Sequence, residues 1–470
     1  MIDDESANSE SLERIPTGSE ELDTILHGGF PANSINIIMG EPGSGKTILA
    51  ERLIFANART TDDGRPIVYL TTLSEPLEKI VRYLQRFDFF DGDKLASGAI
   101  VYDSLGHELE RDGIAALVPK LKEVIKTLGP KIIVIDSFKA IHDLSTSGPA
   151  MRRMLYEVSR LLTAYDTTAL LLGEYDENMI SSLPEFAVAD AMVELARMKR
   201  STRDERYLRV LKLRGSSYQE GYHAFRIASS GLDVFPRLTS PSEPPSFDGD
   251  GYERLSTGVQ GLDGMLDGGF WTGSTTIVQG TTGSGKTTLA LQFVLAGLAR
   301  GEPGLYVNFQ ENPTQLARTI ASLGWSLEDA KAKGLQLLYA SPVELQIDTI
   351  LVDLFRIVRS RGVKRIAIDA LGDLMNGSAD IARVTGYLYA LAQNFQVWRA
   401  TTVMTLEMAM VGAAALAGQV SAVCDNVLTL GVERTGDTAR RTIHIVKARA
   451  TQHDLDMHEV RISGKGIEVT

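Results

Sequence analysis

One cysteine, Cys424, in 470 residues leaves no partner for an intrachain disulfide and fits a reducing compartment. Basic residues are in deficit, 48 Lys and Arg against 60 Asp and Glu, for a net charge of −12. That balance argues against a chain whose main work is coating nucleic acid or an anionic membrane. Aromatics reach only 7 %, and no run interleaves them with basic residues as single-strand binding requires. Long apolar runs are missing as well. The longest, around 409–423, is broken by Gln419 and Ser421 and is too short to span a bilayer. Met1 to Glu13 is acidic and polar, without the basic-then-apolar order of a signal peptide. These absences lead us to expect a disordered tail over 1–13, no membrane association and a cytoplasmic location.

What the chain does have is a copy of itself. Arg14–Ala50 and Arg254–Ala290 align without a gap at an offset of 240, with 19 of 37 positions identical. Later blocks answer one another too: YLTTLSEP (69–76) and YVNFQENP (306–313), KIIVIDS (131–137) and KRIAIDA (364–370), LKLRG (211–215) and VKARA (446–450). Self-similarity at this length points to a duplicated domain. Between the copies, Pro236–Gly251 reads PRLTSPSEPPSFDGDG, the composition of a linker. The expected division is 14–235, a linker over 236–251, and 252–470. Within each copy, short β-branched runs alternate with helical stretches, which predicts a mostly parallel sheet flanked by helices. The stretch 191–227 reads as late antiparallel hairpins added to that sheet.

Gly40–Thr47 (GEPGSGKT) and Gly280–Thr287 (GTTGSGKT) match the phosphate-binding loop pattern G-x-x-x-x-G-K-[ST]. Each follows an apolar strand and opens an apolar-periodic helix, so backbone N–H groups and the helix N-terminus converge on an anion. The nucleotide-binding set is Gly40, Gly43, Ser44, Gly45, Lys46 and Thr47 in the first copy. In the second it is Gly280, Gly283, Ser284, Gly285, Lys286, Thr287 and Thr288. The lysines are expected on the β and γ phosphates, and the Thr47 and Thr287 hydroxyls on Mg²⁺. Asp136 and Asp369 each end an apolar run and are placed at the carboxyl edge of the sheet, where ligands of open α/β sheets bind. They are the matching Mg²⁺ acids, and ATP with Mg²⁺ is the expected cofactor pair.

The lead-in T-G-x-x-x-L-D-x-x-L-x-G-G-F (Thr17–Phe30 and Thr257–Phe270), the loops, the strand-end acids and the pairs Lys212/Arg214 and Lys447/Arg449 together resemble the KaiC family. The resemblance spans nearly the whole chain and implies α/β, tandem RecA-like P-loop NTPase domains. It further implies a homo-hexameric double ring with ATP between subunits, in which Lys212, Arg214, Lys447 and Arg449 reach a neighbour's nucleotide. A cation supplied in trans neutralises charge developing on the γ-phosphate. The basic run Arg197–Arg214 contains Asp204 and Glu205, which suggests a charged hairpin tip rather than a nucleic-acid patch.

The chain also departs from the family. KaiC domains carry two adjacent glutamates after the second strand of the sheet, one of which activates the attacking water. Here Leu73 and Ser74 occupy the place in the first copy, with Glu75 one position later, while the second has Gln310 and Glu311. A glutamine can orient water but cannot take its proton. Either Glu75 and Glu311 serve as bases and the protein hydrolyses ATP slowly, or it holds ATP without turnover. The family's Ser-Thr autophosphorylation pair corresponds to Ser421-Ala422, so Ser421 is the candidate phosphosite and reads equally as a small residue packed before a strand. KaiC proteins extend past the last strand into a tail that docks an activator, whereas this sequence ends at Thr470. The expectation is a KaiC-like ATPase in a signalling or timing assembly with an unidentified protein partner. The alternatives are an ATP-bound scaffold and, against the acidic balance, a RecA- or DnaB-like DNA motor.

Overall fold

A computed structural model describes residues 12–59, 64–72, 77–145, 147–199, 204–241, 253–341, 346–376, 381–408, 421–435 and 438–470. Most of the expected N-terminal tail and of the linker therefore lies outside the described residues. The chain divides into two compact units, with the boundary in the sequence between Arg237 and Leu238.

In the first unit the strands are β1 (Arg14–Ile15), β2 (Phe30–Pro31), β3 (Ile35–Gly40), β4 (Ile67–Thr71), β5 (Ile100–Ser104) and β6 (Ile132–Asp136). They continue with β7 (Thr168–Gly173), β8 (Ala191–Lys199), β9 (Asp204–Leu213), β10 (His223–Ala228) and β11 (Gly231–Phe235). Nine of them form one sheet in the order β11-β10-β9-β8-β3-β7-β6-β4-β5. From β8 through β5 every pairing is parallel, and β9, β10 and β11 follow antiparallel.

The second unit repeats the plan with β12 (Arg254–Leu255), β13 (Phe270–Trp271), β14 (Thr275–Gly280), β15 (Gly304–Asn308), β16 (Leu335–Tyr339) and β17 (Arg365–Asp369). Its later strands are β18 (Thr401–Glu407), β19 (Asn426–Thr435), β20 (Thr438–Ala448), β21 (His458–Ser463) and β22 (Gly466–Val469). The sheet order is β16-β15-β17-β18-β14-β19-β20-β21-β22, with the last three strands antiparallel.

Runs such as INIIMG in β3 are buried at every position, as a parallel strand covered by helices on both faces must be. One apolar layer of the first unit gathers Leu22, Phe30, Leu49, Leu53 and Phe55, and the opposite layer gathers Ile37, Leu121, Ile133, Phe138 and Leu155. The second unit has the same two layers. These are tandem RecA-like folds.

The lead-in motif is structural. The Asp23 carboxylate accepts the Thr17 N–H at 2.7 Å, and Asp263 accepts that of Thr257 at the same distance. A Cβ at Gly29 would lie 2.2 Å from the Ile15 carbonyl oxygen, and one at Gly269 2.3 Å from that of Leu255. The two glycines thus permit the short β1–β2 and β12–β13 pairings that lay the chain entry against the core.

Candidate nucleotide sites

Both loops leave the carboxyl end of a central parallel strand, Gly40 ending β3 and Gly280 ending β14. A Cβ on either glycine would sit 2.2 Å from the carbonyl oxygen of Leu195 or Leu430 on the adjoining strand. Gly45 and Gly285 cap the following helices, Lys46–Asn57 and Lys286–Leu298, at φ of 109° and 110°. Around Gly43 and Gly283 an added Cβ would meet nothing within 4 Å. The loop rim is open, and the unpaired N–H groups of each helix start border it.

Lys46 Nζ donates to the carbonyls of Gly40 and Glu41, both at 2.9 Å, and Lys286 Nζ to those of Gly280 at 3.0 Å and Thr281 at 2.8 Å. An ammonium has three N–H bonds, so each lysine keeps one for an anion over the loop. Burial holds both lysines below the usual ammonium range. Glu174 and Asp136 oppose that shift for Lys46, and Glu407 and Asp369 oppose it for Lys286. The Ser44 and Ser284 hydroxyls are enclosed and have no protein partner.

Asp136 closes β6, where its Oδ2 accepts from Thr47 Oγ1 at 2.9 Å and from the Tyr69 hydroxyl at 2.8 Å. The hydroxyl and carboxylate expected to serve one cation are adjacent. That oxygen donor set suits Mg²⁺, which takes few protein ligands and keeps several waters. Among the described residues no group of three His, Cys, Asp or Glu could hold a metal unaided. The second unit is wired differently. Asp369 accepts from Tyr306 at 2.7 Å through Oδ2 and from the Thr405 hydroxyl through Oδ1. Thr287 and Thr288 stand in the first turn of their helix, and Thr287 makes no bond to Asp369. The register places Leu172 where Thr405 stands, which explains why Asp136 has no second hydroxyl from that strand.

Glu75, with Leu73 and Ser74, lies outside the described residues. In the second unit the segment after β15 is ordered by Asn308. Its Oδ1 accepts the N–H groups of Gln310 and Glu311, each at 3.0 Å. Asn312 and Gln315 then form a reciprocal cap that starts the helix Pro313–Ser322. Burial, followed by the charge of Asp369, raises the Glu311 carboxyl above its ordinary value, with the Thr319 hydroxyl opposing the shift. Gln310 Nε2 donates to Asp373 Oδ2 at 2.8 Å.

The four cations assigned to a neighbour's nucleotide sit far from the loop of their own unit. Leu208 is level with Leu195 and Gly40, and Lys212 is four residues further along β9, about 13 Å away at the rise of a strand. Lys447 stands four residues beyond Ile443, which is level with Leu430 and Gly280. Arg214 pairs with Asp190 at 3.0 Å, while Arg449 NH2 donates to the Ala422 carbonyl at 2.9 Å. Lys212 Nζ reaches the Phe186 carbonyl at 3.4 Å. Lys447 Nζ donates to the carbonyls of Ser421 and Cys424 at 2.6 and 2.7 Å, so the candidate phosphosite is held through its backbone.

Several site residues escaped the sequence reading. Arg206 NH1 donates to the Gly43 carbonyl at 2.8 Å, and Arg441 Nε to that of Gly283 at 3.1 Å. Each lies six residues before the K-x-R lysine of its unit, and that shared spacing was the available signal. Glu205 is not a solvated tip residue: it is buried, with its carboxylate accepting from the Tyr207 hydroxyl at 2.7 Å. Glu174, directly after β7, and Glu407, the last residue of β18, lie within electrostatic reach of the loop lysines. Glu407 also accepts from the Thr282 hydroxyl within the loop.

Comparison with known proteins agrees with this geometry. A family model described as "ATPase: KaiC" matches residues 15–239 and again 255–470. The circadian clock oscillator protein KaiC of Picosynechococcus sp. is 28 % identical over 479 residues, covering 97 % of this chain and 90 % of the relative. Its counterpart in Nostoc sp. is 27 % identical over 99 % of this chain and 90 % of its own length. That of Acaryochloris marina is 28 % identical over 98 % and 89 %. With two matched repeats on two RecA-like sheets, the chain belongs to the KaiC family of ATPases.

Proposed function

We propose that this protein binds Mg-ATP in both units, hydrolyses it slowly, and assembles with copies of itself into a ring whose state follows its nucleotides. The observation that carries the reading is the repeated constellation of loop lysine, first-turn threonine and strand-end acid, Lys46/Thr47/Asp136 and Lys286/Thr287/Asp369. The lysines would bind the β and γ phosphates, and each threonine with its aspartate would hold Mg²⁺, which neutralises phosphate charge when bound. Glu311 accepts the proton of the attacking water in the second unit and Gln310 orients that water, while Glu75 is the corresponding base in the first. Because Lys212, Arg214, Lys447 and Arg449 stand about 13 Å or more from their own loops along the strands, the phosphates they serve belong to another copy. ATP held between copies then favours assembly by mass action.

Relatives carrying the name of a circadian clock oscillator support a nucleotide-dependent signalling or timing role. An unidentified protein partner and a cytoplasmic location are part of the same proposal. Ser421 is the candidate for self-phosphorylation. One observation favours a second reading, an ATP-held scaffold without turnover: the carboxamide of Gln310 cannot accept a proton. Phosphate release by Glu75→Gln, Glu311→Gln and the double variant separates the two. Stepwise loss of release, site by site, supports the ATPase. A parent that retains ATP and releases none establishes the scaffold.

A further inference from the structure

The second site contains a carboxylate that the family comparison does not assign. Asp373 lies on the short helix Leu371–Asn376, four residues after the strand-end Asp369. Its Oδ2 accepts from Gln310 Nε2 at 2.8 Å. A carboxylate only accepts, so the carboxamide must turn its nitrogen to Asp373, and its oxygen then points away. Gln310 is exposed, and its Oε1 has no protein partner among the described residues. The backbone at 310 and 311 is pinned separately by Asn308. Chain and side chain are therefore fixed by two independent anchors. Asp373 also lies within the electrostatic reach of Asp369 and Glu407, the groups that face Lys286. In the first unit the equivalent position, four residues after Asp136, is Ala140.

We propose that Asp373 is a positioning residue of the second site, locking the Gln310 carboxamide so that its oxygen receives the attacking water. The proposal rests on the ATPase reading above. In that step the water oxygen bonds to the γ-phosphorus and the bond to the β–γ bridging oxygen breaks, its electron pair leaving with ADP. One water proton passes to Glu311, and the other O–H is hydrogen-bonded by Gln310 Oε1 without transfer. The pair also accounts for glutamine at 310. A glutamate there would bring a second carboxylate against Asp373, and like charges so close cannot both stay ionised.

The test uses the full chain with Lys46→Ala, which leaves phosphate release to the second site. Asp373→Ala is expected to lower kcat about tenfold, with KM and retained nucleotide unchanged, the effect of losing one charge-assisted hydrogen bond. Asp373→Asn, whose Oδ1 still accepts from Gln310, recovers kcat to within about threefold of the parent. Gln310→Glu alone lowers the rate and shifts the acid limb of the pH profile upward, and adding Asp373→Ala to it restores both. A fall in Asp373→Asn as deep as in Asp373→Ala would show that the charge itself is required and overturn the positioning role. An unchanged kcat in Asp373→Ala would overturn it too. If the Lys46→Ala parent releases no phosphate while holding ATP, turnover at the second site fails and this role falls with it, whereas release by the unmutated chain still decides the ATPase reading at the first site.

Discussion

Beneath the first loop a buried glutamate pairs with a half-buried tyrosine, and the second unit replaces both with hydrocarbon. Glu51 sits one helical turn after Thr47, is 1 % exposed, and accepts from the Tyr102 hydroxyl at 2.6 Å. Tyr102 stacks on Tyr69 at 5.2 Å, and Tyr69 in turn binds Asp136. The matching residues in the second unit are Leu291 and Leu337. Burial is the first cause that pushes the Glu51 carboxyl from 4.5 up to about 8, with Tyr102 opposing and Asp136 adding to the rise. Between those values the folded chain holds a proton that the unfolded chain has lost. The contribution of this group is therefore fully present below pH 4.5, declines as pH rises, and is gone above about pH 8. The slope is about 1.4 kcal/mol per pH unit, or about 3 kcal/mol between pH 5.5 and 7.5. Glu51→Leu with Tyr102→Leu copies the second unit and removes both the titration and the hydroxyl bound to it. Urea unfolding followed by far-UV circular dichroism across pH 5.5–8.5 should show the variant gaining on the parent as pH rises. The three tryptophans, Trp271, Trp325 and Trp398, all lie in the second unit, so their fluorescence separates the transitions. Parallel pH profiles for parent and variant would show that Glu51 takes up no proton on folding.

Other perturbations follow from the same geometry. Lys46→Ala and Lys286→Ala should each reduce nucleotide retained per chain from two to one, counted after rapid desalting, and the double variant should retain none. Arg206→Ala and Arg441→Ala, which lose a charged hydrogen bond to the loop backbone, should weaken nucleotide binding at their own sites about tenfold by titration calorimetry. Gly40→Ala and Gly280→Ala drive a Cβ into a backbone oxygen at 2.2 Å and should cost ~3 kcal/mol or more in urea unfolding.

What could be read from the sequence was whatever backbone geometry or strand periodicity imposes at short range. Gly40 and Gly280 stand where a Cβ would strike a backbone oxygen, Gly45 and Gly285 take a positive φ, and the apolar runs ending at Asp136 and Asp369 are the strands that carry those acids. The late hairpins followed from the chain pattern over 191–227, and all nine strands of each sheet keep the expected parallel-then-antiparallel character. What could not be read depends on residues far apart in the chain. Asp373 gains meaning only when the fold sets it against Gln310, and Arg206 only when β9 brings it beside Gly43. Nothing in the helix marks out Glu51, because its partner Tyr102 arrives on a strand far along the chain. Glu205 looked like a solvated charge for the same reason, its burial being set by how β9 packs. The difference between Thr405 and Leu172 shows how two copies with like motifs give their strand-end acids different partners.

The most direct test of two working ATP sites is phosphate release from Mg-ATP by the purified chain beside its Lys46→Ala/Lys286→Ala variant. The parent should release phosphate slowly and steadily, and the double variant should release none. Release that persists in the double variant, or a parent that keeps its ATP uncleaved, would contradict two working ATP sites.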